Sequence, residues 1–89
     1  MRCVITVIGK DTVGILSDVS SICKECNVNI VDVTQSILQD MFCMIMMADV
    51  TKANVEFSVL SDKLSEYGKE HALSITAMHE DIFNSMHRI

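Results

Sequence analysis

The chain has 89 residues, 49% of them hydrophobic, four cysteines, no proline and a net charge of −5. A domain this short buries roughly 60–65% of the surface its unfolded chain exposes, and a mean hydropathy of +0.34 is more than one small core hides, so oligomerisation is expected. Scattered Lys and Arg residues under a negative net charge argue against direct nucleic-acid binding, and no apolar run approaches the ~20 residues of a membrane span.

The first predicted element is a strand over residues 2–8, rich in β-branched residues and closed by Gly9. The short loop from Gly9 to Gly14 follows, and then a helix over residues 13–26. In that helix Ile15, Val19, Ile22 and Cys26 step by four, three and four. Asp11 or Thr12 is expected to cap it, and Asn27 to end it. Residues 29–38 read as a second strand, with Val31, Val33 and Ile37 alternating with Asp32, Thr34 and Ser36. Gln39 and Asp40 form a hairpin turn into a third strand over residues 41–50. That strand is apolar on both faces, so both are expected to be covered.

A second helix is predicted over residues 51–70, where Phe57, Leu60, Leu64 and Tyr67 step by three, four and three, with Gly68 near its end. Residues 74–78 read as strand four, led in by Leu73. Residues 80–89 are expected to form a short helix that buries Ile82, Phe83 and Met86. The order β-α-β-β-α-β is that of the split βαβ arrangement. The fold class is therefore α+β: a ferredoxin-like βαββαβ sandwich with a four-stranded antiparallel sheet and two helices on one face. Residues 1–79 make the domain and residues 80–89 a C-terminal helical extension of it.

Cysteine usage sets the compartment. The amino-terminal segment lacks a cleavage signature, so Cys3, Cys23, Cys26 and Cys43 read as free thiols of a cytoplasmic protein. Cys23 and Cys26 have the spacing of a redox pair or of half a zinc site. They lie, however, near a helix C-terminus, where the dipole disfavours thiolate, and packing is the plainer reading. His71, His79 and His87 are eight residues apart and complete no metal site. Neither a metal nor a cofactor is expected. No nucleophile elbow or paired catalytic group emerges, and Glu80-Asp81 reads as a solvated helix start, so an enzyme is not expected.

The loop from Gly9 to Gly14 is the most informative segment. It joins a strand to a helix, so free backbone N–H groups and the positive helix end face it, and such an end holds a carboxylate. It is neither a Rossmann fingerprint nor a phosphate loop, because the glycine spacing of both is missing. A tight turn with a helix cap accounts for the same residues without any ligand.

Asp11-Thr12-Val13-Gly14-Ile15-Leu16, after a strand and opening a helix, resembles the Asp-x-x-Gly-hydrophobic-Leu signature of ACT domains, with Val13 where the family frequently has Pro. Val28-Asn29-Ile30 resembles that family's entry into strand two. The resemblance spans about residues 2–79 and is greatest to free-standing single-ACT proteins and to the ACT units of glycine-cleavage-system regulators. It implies a regulatory homodimer that binds an amino acid or related metabolite and signals to an enzyme or transcription regulator. Carried onto this chain, it implies a site of Asp11, Thr12, Val13, Gly14 and Ile15 from one subunit with Asn29 and Ile30 of its neighbour. Asp11 would receive the ligand's ammonium, the N–H groups near Gly14 its carboxylate, and Asn29 a further hydrogen bond. Two other readings stay open: an interaction module without its own ligand, and a thiol switch at Cys23 and Cys26.

Overall fold

A computed structural model describes residues 1–10 and 13–86. Four strands, β1 (Arg2–Lys10), β2 (Asn29–Leu38), β3 (Met41–Asp49) and β4 (Leu73–His79), form one sheet in the order β2-β3-β1-β4. All three pairings are antiparallel. Helices α1 (Ile15–Glu25) and α2 (Phe57–Glu70) cover one face. This is the ferredoxin-like βαββαβ sandwich that the element order predicts.

The core lies between the helices and that face. Cys3, Ile5 and Val7 of β1 and Phe42, Met44, Met46 and Ala48 of β3 point into it, against Ile15, Val19 and Cys23 of α1 and Leu60 and Leu64 of α2. The helices bury the stripes that their three- and four-residue spacing lays on one side. Between them, the Tyr67 hydroxyl donates to Asp18 Oδ2 at 2.7 Å. Burial, then the Asp18 carboxylate, pushes the tyrosine up to about 12.

Several boundaries differ from expectation, each for a local reason. β1 runs through Gly9 to Lys10, because Gly9 is a close-approach position inside the ladder: a Cβ there would stand 2.5 Å from the Leu73 side chain. α1 begins at Ile15. Gly14 takes the cap position in a left-handed conformation (φ 86°), with no side-chain cap bond. α2 begins at Phe57, six residues late, because the chain first folds on itself. Asp49 accepts from the Thr51 N–H and hydroxyl, and the Ala53 N–H donates to the Val50 carbonyl. Gly68 lies inside α2 and lets it pack on β4, since a Cβ would stand 2.7 Å from the Leu73 carbonyl oxygen.

The second face of the sheet departs most. A third helix, α3 (Glu80–Met86), lies across it at the β1–β4 side, held by the Arg2–Glu80 ion pair at 2.8 Å. Val4, on this face of β1, is fully buried, but α3 buries none of its own residues, and Ile82 and Met86, expected to be buried, are largely exposed. Beyond it, Met41 and Ile45 of β3 are open while Cys43 and Met47 are partly buried, so among the described residues the second face of β3 is covered only in part.

β2 also corrects the alternation read from its sequence. A bulge falls between Ile30 and Asp32, so Ile30 and Val33 share the core side and Val31 is half exposed. Val31 is the extra residue, not a core contributor.

Candidate functional site

Seven residues were expected to form the site. Asp11 and Thr12 lie outside the described residues. Val13 is fully exposed at the loop tip. Gly14 faces open space, since a Cβ there would meet nothing within 4 Å. The first intrahelical bond runs from the Asp18 N–H to the Gly14 carbonyl, 2.9 Å, so the N–H groups of Ile15, Leu16 and Ser17 come before any helical acceptor. They carry the positive end of the helix dipole toward the loop. The Ile15 side chain is buried in the core, which leaves its backbone N–H as its contribution to a site.

Asn29 and Ile30 stand at the other end of the molecule. Asn29 pairs with Asp49, and Asp49 with Arg2, at the start of β1; Lys10, which leads into the loop, pairs with Met41, which pairs with Leu38. Eight residues of strand separate the two ends, about 27 Å at ~3.4 Å per residue. A single chain does not bring Gly14 and Asn29 together.

Around Asn29 lies a groove of about 620 Å³ that the sequence did not reveal as a unit. Its walls are the last two turns of α1, the start of β2 and the β3–α2 loop, and they bring Ser20 and Lys24 opposite Asp49 and Lys52. Cross-links fix these walls. Asn27, in a left-handed conformation, donates through Nδ2 to the Lys52 carbonyl at 2.7 Å. Asn54 Nδ2 donates to the Glu25 carbonyl at 3.0 Å, and the Asn54 N–H to the Cys26 carbonyl at 3.0 Å. The Val28 N–H takes the Cys23 carbonyl and the Asn27 N–H that of Lys24. The carbonyls that would leave the C-terminal end of α1 negative are thus occupied. Thr51, first through its hydroxyl and then its N–H, holds the Asp49 carboxyl below its ordinary value of 3.8.

The cysteine pair lies inside this architecture. Cys23 and Cys26 are buried free thiols, with Cys3 beside them in the core. Burial, then Cys3 and Cys26, pushes the Cys23 thiol up from 9.0 to about 11, away from the thiolate that redox exchange needs. Among the described residues no group of three or more His, Cys, Asp or Glu is placed to hold a metal ion, and no helix is long and apolar enough to cross a membrane.

Comparison with known proteins agrees with this architecture. The family model for the ACT domain matches residues 2–78. A UPF0237 protein of Clostridium perfringens is 47% identical over 89 residues, the full length of both chains. An ACT domain protein from Streptococcus pneumoniae, of known structure, has a TM-score of 0.80 at 30% identity, over 93% of each chain. A proposed glycine cleavage system transcriptional repressor has a TM-score of 0.76 at 23% identity, over 89% of this chain and 47% of its own, a likeness of fold.

Proposed function

From the premise that this chain belongs to the ACT domain family, we propose that it is a regulatory homodimer that senses an amino acid or a related small metabolite. Each ligand sits between the β1–α1 loop of one protomer and the start of β2 of the other. The role is regulatory rather than catalytic, and the target is an enzyme or a transcription regulator.

The observation that carries the reading is the separation of Gly14 from Asn29 beside a free sheet edge. β2 is an edge strand of ten residues, with Asp32 as its one charged side chain and with exposed Val31, Ile37 and Leu38. Long edges without lysine or proline are templates for pairing. Two copies joined antiparallel through β2 set the Asn29 end of one strand beside the Leu38 end of the other, on the side where the partner's α1 begins. The ligand's carboxylate then meets the free N–H groups at Ile15 and Leu16, Asp11 takes its ammonium, and Asn29 adds a hydrogen bond from across the interface. Thr12, Val13 and Ile30 shape the walls.

Thermal shift with single amino acids, read beside light scattering, tests this. A ligand at a hundredfold excess over its Kd adds about 2.7 kcal/mol, which raises the Tm of a domain this size by about 10 °C or more. The expected scattering mass is twice 9.9 kDa. A single-chain mass, with no amino acid stabilising at millimolar concentration, overturns the proposal. A dimer that ignores every amino acid favours the second reading, an interaction module whose free β2 edge accepts a strand of a partner protein.

A further inference from the structure

The groove at the closed end of α1 has two lysines that sensing between protomers does not use. Lys24 and Lys52 both line it and, among the described residues, neither is in an ion pair. The Ser20 hydroxyl, also in the lining, has no protein partner among the described residues. These donors stand on α1 and the β3–α2 loop, whose backbones the Asn27 and Asn54 bonds hold in place, so binding has only the side chains to order. The carbonyls at the end of α1 are already occupied, which weakens their repulsion of an anion.

The geometry points to a binding site for the phosphate monoester of a small hydroxylated metabolite, with its whole lining drawn from one protomer. Two ammonium groups carried by different elements act as point charges, which suits the oxygens of a phosphate; a planar carboxylate would favour the fork of an arginine, and the groove lining has none. A volume of about 620 Å³ holds more than the phosphate. The partly buried Ile30 offers apolar surface to the organic body. Asp49 binds Thr51 through Oδ1, and its Oδ2 remains to accept a ligand hydroxyl.

The test is an NMR titration of the full chain, followed at backbone amides, with ribose 5-phosphate, inorganic phosphate, ribose and succinate as separate probes. Ribose 5-phosphate is expected to give saturable shifts at residues 27–30 and 49–52 and to bind more tightly than inorganic phosphate. The Lys24→Gln/Lys52→Gln double variant is expected to lose roughly tenfold or more in affinity at an unchanged urea midpoint, while Lys63→Gln/Lys69→Gln on α2 keeps it. Unsaturable shifts, equal binding of succinate, or unchanged affinity in the first double variant overturns the proposal. Binding to phosphatidic acid vesicles in place of the soluble ester also overturns it. Amino-acid stabilisation and scattering mass are separate readouts, so failure here leaves the sensor reading standing, and the reverse.

Discussion

The two ends of α1 are built on opposite plans. At its start, Gly14 faces open space, Val13 is fully exposed and, among the described residues, no side chain caps the helix. At its end, asparagine side chains and backbone N–H groups occupy the carbonyls and bind two loops together. One end has unsatisfied donors and few constraints; the other is rigid, with its walls already in place. A binding surface that waits for a second chain suits the first plan, and a preformed groove suits the second.

Alkali acts on both ends at once and is expected to have the largest effect. The folded pKa values of Cys23 and Tyr67 are raised, so the protonated forms stabilise the fold. That contribution is complete below the ordinary values of 9.0 and 10.0 and is lost as pH rises through about 11 and about 12. Urea midpoints should therefore fall steadily above pH 9. In Tyr67→Phe, which also lacks the bond to Asp18, the fall should come only from the thiol side.

Next in size is the closed end. Asn27→Ala with Asn54→Ala removes two side-chain bonds and puts alanine at φ 56°, and should cost about 2–3 kcal/mol in urea denaturation. Asn27→Gly with Asn54→Ala keeps the left-handed turn and should recover about 1 kcal/mol of that. At the open end, Gly14→Val has space for its side chain but not the backbone conformation, and should cost about 1–2 kcal/mol. The smallest effect is that of Val13→Ser, within about 0.5 kcal/mol of the parent by the same measurement. A large loss there would mean that the Val13 side chain has a partner in solution.

This contrast also marks how far the sequence could be read. Strand alternation and helical spacing are local signals, and they gave the order of elements and the buried stripes of α1 and α2. The ties at the closed end join residues 25 and 29 positions apart, and no local pattern announces them. For the same reason α2 was expected to start at Thr51, six residues early: residues 51–56 have helix-compatible chemistry but are held in a turn. The start of β2 at Asn29 was legible from its motif. The place of Lys24 in a groove with Lys52 was not, because it depends on which loop folds back against α1. The apolar residues on both sides of β3 were visible, but their covering was not. Met46 is buried by the helices while Ile45, one residue away, faces outward.

The bulge at Val31 has a consequence for sequence comparison. It adds one residue to β2 without changing which side its neighbours face: with Val31 removed, Ile30 and Val33 would still point inward and Asp32 outward. A length difference of one between relatives can be absorbed at this position, whereas the same deletion at Val33 would turn every later side chain of the strand over. An alignment gap in β2 therefore belongs at Val31, where the sheet already carries a spare residue.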